Sequence, residues 1–208
     1  MSSSLFHLLP HLIYSLFSFS FFIFSALFLI SFFFSFFLII IGGYETPELN
    51  DKIYLHFRGF KKIENLNPYT GCKAIWLDSN GFSEIENLQC LEQLRCLYLS
   101  KNLINKIQGL DTLINLTILD LSNNRLYLID NLQNLPALQT INVSRNFLST
   151  PESISHFQLC LSLQNIDVTN NKLECNEDFL TVLAGIPGLK ALSCNGNEMT
   201  RLPHFRKR

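Results

Sequence analysis

Hydrophobic residues recur at a fixed period through most of this chain. From Cys72 onward, aliphatic or cysteine residues at positions one, four and six of a nine-residue segment are followed by an asparagine at position nine. In the central copies the segment returns after about 22 residues, a period typical of stacked repeats. The asparagines in register are Asn80, Asn102, Asn124, Asn146, Asn171 and Asn197. An earlier copy contains Ile53, Leu55 and Phe60 but has Arg58 in place of asparagine. The pattern predicts seven repeats of one supersecondary unit.

Each copy is expected to form one coil of a stacked solenoid. The residues at positions four and six would lie on a short strand and point inward, because strand side chains alternate. The asparagine would turn the chain and pair its side-chain amide with backbone groups of the adjoining coil. The copies resemble leucine-rich repeats. That resemblance implies an α/β fold, a right-handed horseshoe of about seven repeats with a parallel sheet on its concave side.

Two copies, the fifth and the sixth, are longer than the others. The intervals from Asn146 to Asn171 and from Asn171 to Asn197 exceed the interval between the central asparagines, and the extra residues fall in 151–161 and 174–188. Residues 177–183 predict a short helix on the convex side of the sixth coil. Elsewhere on that side, aliphatic residues recur at every third position, which is typical of irregular or 3₁₀-like backbone.

One residue of each strand, between the two inward positions, is expected to point to the concave face. Down the stack these residues are Tyr54, Trp76, Tyr98, Asp120, Asn142, Asp167 and Ser193. Exposed aromatic rings are costly unless something covers them, and Trp and Tyr are frequent anchors of protein interfaces. We therefore predict a protein-binding site on this face. The alternative is that the rings only pack on one another and stiffen the sheet.

The beginning of the chain has a different composition. Residues 1–44 contain no Asp, Glu, Lys or Arg, and residues 12–41 consist only of Leu, Ile, Phe, Ser, Ala and Tyr. As a helix, that segment would span about 45 Å and could cross the ~30 Å core of a bilayer. Residues 1–43 are therefore interpreted either as an apolar leader with a transmembrane helix or as an error in the assumed start of the gene. Residues 44–208 form the predicted repeat domain.

Charge and motifs exclude several classes of function. The net charge is −1, from 16 basic and 17 acidic residues, which argues against a strongly basic nucleic-acid binder. The six cysteines include no Cys-x-x-Cys pair and are expected to be buried or half-buried thiols. No combination of residues in the sequence suggests catalysis, a metal site or a cofactor site, so the chain is predicted not to be an enzyme.

Two sets of motifs resemble known families. The tag Ile85-Glu86-Asn87-Leu88 resembles a subfamily of leucine-rich repeats typified by a nuclear phosphatase regulator. A sharper likeness, to the dynein axonemal assembly factor family of ciliary proteins, begins at Tyr44 and continues through all seven repeats. Its specific stretches are Leu55-His56-Phe57-Arg58-Gly59-Phe60 and Tyr69-Thr70-Gly71, and it also includes Thr46-Pro47 and Trp76-Leu77.

This resemblance implies a cytoplasmic or ciliary, non-enzymatic scaffold for the preassembly of axonemal dynein arms. Its partners would be axonemal dynein chains and other assembly factors. The chain departs from the family in its apolar leader and in ending at Arg208 without the expected C-terminal cap. Two alternative functions remain open. One is a membrane-anchored leucine-rich-repeat docking or receptor module, held by residues 12–41, and the other is a phosphatase regulatory subunit.

Overall fold

The computed structural model describes residues 44–174 and 177–201. The chain divides into two units, Met1–Glu45 and Thr46–Arg208. The apolar helix predicted over residues 12–41 and the last residues, 202–208, lie outside the described ranges. Among the described residues, no helix combines the length and apolar character needed to cross a bilayer.

Seven short strands form one parallel sheet in which neighbours in space are neighbours in sequence. This order is the one expected of a solenoid, because each coil contacts only the coils beside it. The strands are β1 (Lys52–Tyr54), β2 (Ala74–Trp76), β3 (Cys96–Tyr98), β4 (Ile118–Asp120), β5 (Thr140–Asn142), β6 (Asn165–Asp167) and β7 (Ala191–Ser193). The predicted repeat fold with a parallel sheet is therefore confirmed.

The pairing register follows the sequence period. Leu97 of β3 pairs with Ile75 on one side and with Leu119 on the other, and each step is one full repeat of the sequence. In β3, β4 and β5 the central residue is buried and its two neighbours face outward, as alternation of side chains requires. The core is thus a column of aliphatic side chains that repeats from coil to coil.

Burial weakens at the last strand. In β6 the inward residue Ile166 is 3% exposed, and Val168 just after the strand is 1% exposed. Their counterparts in the next coil, Leu192 and Cys194, are half-buried. Within the described residues β7 pairs only with β6, whereas β6 is covered on both sides.

The extra residues of the two long copies form helices opposite the sheet. A 3₁₀ helix covers Pro151–Leu159, and helix α1 covers Glu177–Ala184, one residue longer than predicted. The two helices are linked by a hydrogen bond from Gln158 Nε2 to the carbonyl oxygen of Val182, at 3.1 Å. Each also inserts a fully buried phenylalanine, Phe157 or Phe179, into the core. Two further 3₁₀ segments span Pro47–Leu49 and Glu198–Arg201.

The asparagine of the Ile-Glu-Asn-Leu tag has a structural role that its sequence alone did not reveal. Asn87 adopts the left-handed conformation, with φ 57°, and its Nδ2 donates to the carbonyl oxygen of Ile63 in the preceding coil at 2.7 Å. Asn131 does the same toward Ile107. Asparagine tolerates this conformation better than most residues, so a second asparagine bond links coils on the side opposite the sheet.

Candidate functional site

The register of the sheet places the predicted concave residues in one line. Tyr54, Trp76 and Tyr98 are paired strand to strand, and the line continues through Asp120, Asn142 and Asp167. Adjacent strands lie about 4.8 Å apart, which suits the spacing of stacked rings. The structure thus brings together six side chains that come from six different repeats of the sequence.

The three aromatic residues form a continuous stack on the exposed face of the sheet. This is the face that the sequence predicts to be concave, and we call it the outer face. The ring centroids of Tyr54 and Trp76 are 4.5 Å apart, and those of Trp76 and Tyr98 are 5.0 Å apart. The planes are inclined by 18° and 12°, so both faces of the Trp76 indole are covered by a neighbouring ring. Tyr54 is 37% exposed, and the other two are half-buried. The rings pack on one another, yet their edges stay open to a ligand.

Two further aromatic residues, which the sequence prediction did not include in the site, extend this stack. The His56 ring lies edge-on to Tyr54 at 6.3 Å and to Phe57 at 5.6 Å. Phe57 is 72% exposed and has a φ of 56°. A bulky residue in the left-handed region is uncommon. The same conformation recurs at the equivalent residue of later coils, such as Lys101 and Arg145, so it belongs to the turn of the repeat, which in the first coil exposes the Phe57 ring. The available signal was the Leu-His-Phe stretch itself, whose aromatic residues come one residue after the end of β1.

The polar side chains of the line form hydrogen bonds with the backbone instead of packing on one another. Asp120, Asn142 and Asp167 each accept a hydrogen bond at Oδ1 from the backbone N–H two residues later, at 2.8–3.0 Å. Asp78, in the next outward column, instead accepts from the N–H of Ser100 in the following coil at 2.8 Å. These side chains therefore fix the ends of the strands, with part of each still facing outward.

Burial and like charges act together at Asp120. Desolvation raises the pKa of its carboxyl, hydrogen bonds from Ser122 lower it, and the negative charges of Asp78 and Asp167 raise it further. The net direction is upward. The middle of the outer face therefore has a negative potential that borders the aromatic stack at Tyr98.

The repeated asparagines lie on the inside and join the backbones of adjoining coils. The Asn124 Nδ2 donates to the carbonyl oxygens of Leu99 and Leu121 at 2.9 and 3.0 Å, and its Oδ1 accepts from the N–H of Ile104 at 3.0 Å. The same three-bond pattern recurs at Asn102, Asn146, Asn171 and Asn197.

The first member of this ladder is less buried than the rest. Asn80 is half-buried and its Oδ1 accepts from the N–H groups of Arg58 and Phe60, both at 3.1 Å. The first coil has Arg58 in the ladder position and so supplies no amide of its own. Within the described residues, no buried side-chain nitrogen or oxygen lacks a hydrogen-bond partner.

The cysteines sit at packing positions. Five of them lie in the described part of the chain, and all five are free thiols. Desolvation raises the pKa of Cys72 to about 12 and that of Cys160 to about 11. A thiol with such a pKa is a poor nucleophile and a poor metal ligand at neutral pH. No group of three His, Cys, Asp or Glu residues suited to a metal ion occurs in the ranges 44–174 and 177–201.

Comparisons with known proteins identify the fold of this chain. Residues 115–135, which form the fourth coil, match the family model described as Leucine Rich Repeat. Solved structures with the same fold include a leucine-rich-repeat protein of Leptospira interrogans, with a TM-score of 0.66 at 23% identity over 78% of this chain and 41% of that one. Internalin C2 of Listeria monocytogenes has a TM-score of 0.62 at 22% identity over 71% of this chain and 62% of that one. The chain has the leucine-rich-repeat fold.

Curated relatives make the relationship more particular. The human protein named dynein axonemal assembly factor 1 is 66% identical over 165 residues, which are 79% of this chain and 23% of the human protein. The mouse protein of the same name is also 66% identical over 165 residues, 26% of its length. The chain thus spans about a quarter of the length of these relatives. The resemblance to the dynein axonemal assembly factor family inferred from the sequence is confirmed.

Proposed function

We propose that this chain is a non-enzymatic scaffold that binds other polypeptides during the preassembly of axonemal dynein arms. The identity of 66% with proteins named dynein axonemal assembly factor 1 supports the process. The single observation that carries the binding role is the stack of Tyr54, Trp76 and Tyr98 on the outer face of the sheet. By the same relationship, the chain would act in the cytoplasm before dynein arms enter cilia or flagella.

The outer face is proposed to bind a dynein chain or another assembly factor. Because both faces of the Trp76 indole are covered, its edge and its N–H remain for a partner. Stacked rings lose little conformational entropy when they are covered, and this favours their use as anchors. His56 and Phe57 widen the anchor beyond β1, so five rings would share the contact.

The polar half of the face is proposed to select among partners. The negative potential around Asp120 would disfavour acidic segments and favour segments with a basic residue beside an apolar one. Such a charge preference gives specificity and association rate more than raw affinity. The asparagine ladder would contribute indirectly by keeping all seven strands in register under this surface.

The test is rescue of cells that lack the endogenous relative. Full chains with Trp76→Ala or Tyr98→Ala would be expressed, with Ile114→Ala as a matched control, because Ile114 is an exposed apolar residue (56%) away from the sheet. Dynein arms would be scored by electron microscopy, and binding to axonemal dynein chains by co-precipitation. We expect the two ring variants to lose at least tenfold in binding, about 1.4 kcal/mol or more, and to restore few arms.

Normal arms and unchanged co-precipitation with both ring variants would disprove the binding role of this face. Normal arms in cells that lack the protein altogether would disprove the dynein-arm function itself. The alternatives of a membrane-anchored receptor module and a phosphatase regulatory subunit have no specific observation in the described residues that favours them.

A further inference from the structure

A second exposed surface lies along one edge of the sheet, where the strands of coils three to six end. It is separate from the outer face that carries the proposed function. We call it the basic edge and define it by Lys101, Arg125, Tyr127, Arg145, Phe147 and Lys172.

Backbone hydrogen bonds align these residues in neighbouring columns. The residues that follow the ladder asparagines are joined coil to coil: the N–H groups of Arg125, Phe147 and Lys172 donate to carbonyl oxygens of the preceding coil, each at 2.8 Å. The residues that precede those asparagines are joined toward the following coil. The N–H groups of Lys101 and Arg145 donate to Ser122 and Thr169, at 2.9 and 2.8 Å. Side chains far apart in sequence are therefore neighbours here.

Two aromatic rings and one ammonium group are stacked in the middle of the edge. The centroids of Tyr127 and Phe147 are 5.2 Å apart with planes inclined by 17°. The Lys172 Nζ lies 5.0 Å from the centroid of Phe147, a cation–π contact. Tyr127 is 64% exposed, so this apolar surface reaches well into solvent.

The four positive charges of the basic edge are open to solvent and to a partner. Lys101, Arg125, Arg145 and Lys172 are all exposed. Among residues 44–174 and 177–201, His156 forms an ion pair with Asp130, and the four cations of the basic edge take part in no ion pair with a described residue. The acidic residues in the aligned positions are Glu174 and, in the next coil, Glu198, both at one end of the edge. The four cations of the edge therefore give a local positive potential on a chain whose net charge is −1.

We propose that the basic edge binds an acidic segment of a partner protein, with carboxylates at the lysine and arginine side chains and an apolar residue against Tyr127. Successive coils lie about 5 Å apart, and an extended peptide rises about 3.4 Å per residue. Acidic residues two positions apart, about 7 Å, would thus reach cations on neighbouring coils through their flexible side chains, and residues three positions apart, about 10 Å, would reach cations two coils apart. Planar guanidinium groups such as those of Arg125 and Arg145 bind carboxylates in a bidentate manner.

A polypeptide fits this surface better than a nucleic acid does. Nucleic-acid sites with aromatic residues offer open ring faces on which bases stack. Here one face of Phe147 is covered by Tyr127 and Lys172 lies over the ring, so that ring is closed to a base. The apolar contact that remains, on Tyr127, suits a single side chain.

The experiment measures binding of a fluorescent 12-residue peptide, rich in glutamate with one central phenylalanine, to the full chain by fluorescence anisotropy. The test variant reverses two charges of the edge, Arg125→Glu with Arg145→Glu. The matched control reverses Lys73 and Arg95, which are exposed basic residues just before strands β2 and β3, at the opposite edge of the sheet. We expect affinity to fall at least tenfold in the test variant and less than twofold in the control, and to fall with added salt.

Milder variants test whether the charge reversals weaken binding only because they disturb the fold. Arg125→Gln with Arg145→Gln should also weaken peptide binding. Tyr127→Ala should lower the affinity for the original peptide as much as replacing the peptide's phenylalanine by alanine lowers its affinity for the unmodified chain. Equal losses in the test and control variants would overturn the proposal, as would tighter binding of a 12-nucleotide single-stranded RNA than of the peptide. Trp76→Ala should leave peptide binding unchanged, which separates this surface from the outer face.

Discussion

The interior of the coils repeats the same residue types from coil to coil, whereas the outer face of the sheet does not. Inside, the same side chains return from coil to coil, with Leu97, Leu119 and Ile141 in equivalent positions and all at most 1% exposed. Outside, the equivalent residues change from aromatic in β1 to β3 to polar in β4 to β7. The difference teaches that repetition is confined to the positions where neighbouring coils must fit each other.

The physical reason is that the interior is a shared interface between similar units. An aliphatic residue or an asparagine in one coil packs against its counterpart in the next, so a change in one disturbs two contacts. The outward residues contact mainly their neighbours in line and solvent. Their chemistry can therefore vary along the stack without loss of fold, and variation is what a specific partner requires.

The largest effect is expected from breaking the aliphatic column. Leu119→Ala should lower the free energy of unfolding by about 2–5 kcal/mol, because it leaves a cavity between two coils. The outward neighbour Ile118, which is half-buried, is the control, and Ile118→Ala should cost less than half as much. Urea denaturation followed by circular dichroism measures both. Equal losses at the two positions would contradict the distinction between inside and outside.

A smaller loss is expected from the asparagine ladder. Asn124→Ala removes a side chain that satisfies three backbone groups in the interior, at a cost of about 1–3 kcal/mol. Asn80→Ala should cost less, because Asn80 is half-buried and water can replace part of its hydrogen bonds. The same denaturation experiment tests this order, and a greater loss at Asn80 would refute it.

The interior should also lose stability at high pH. The ordinary pKa of a cysteine is 9.0, and burial raises the pKa of Cys72 to about 12. Since the folded state holds the proton more tightly, its stabilising contribution is complete below pH 9 and is lost as pH rises toward 12. Above pH 9 the expected loss is about 1.4 kcal/mol per pH unit. Denaturation at pH 8 and pH 10 measures it, and Cys72→Ala should reduce the difference.

The outer face should contribute least to stability. Tyr54→Ala removes the end ring of the stack, which has one stacked partner, and should lower the free energy of unfolding by roughly 0.5–1.5 kcal/mol. Its effect on co-precipitated dynein chains should be proportionally larger than its effect on folding. A Tyr54→Phe variant keeps the ring and should retain both properties. A loss of stability as large as that of Leu119→Ala would place Tyr54 in the core instead of on a binding face.

Much of the fold was predictable because each coil contacts only the coils beside it and equivalent residues recur along the sequence. The regular interval between repeats defines which residues of adjacent coils are equivalent, so the strand register, the buried aliphatic residues and the place of helix α1 could be anticipated. The role of Asn87 could not, since a left-handed backbone and a bond to Ile63 leave no periodic hydrophobic signal. Phe57 was missed in the same way, because its exposure depends on the turn after β1.

The candidate site was only partly predictable. The line of Tyr54, Trp76 and Tyr98 follows from alternation along each strand, but the tilt that places the rings 4.5–5.0 Å apart does not. The basic edge was not anticipated at all. Tyr127 lies three residues after its ladder asparagine and Phe147 lies one residue after its own, so the two are not equivalent positions of the repeat.

By itself, the sequence determined the repeat unit, the number of coils and the side chains that point inward, because each of these depends on spacing along the chain. Only the tertiary structure decided which outward side chains meet. Their contacts depend on the direction of each coil relative to the next, and on backbone conformations such as the left-handed turns at Phe57 and Asn87. Stacking of the coils therefore forms surfaces, and the repeat spacing does not determine which residue types these surfaces contain.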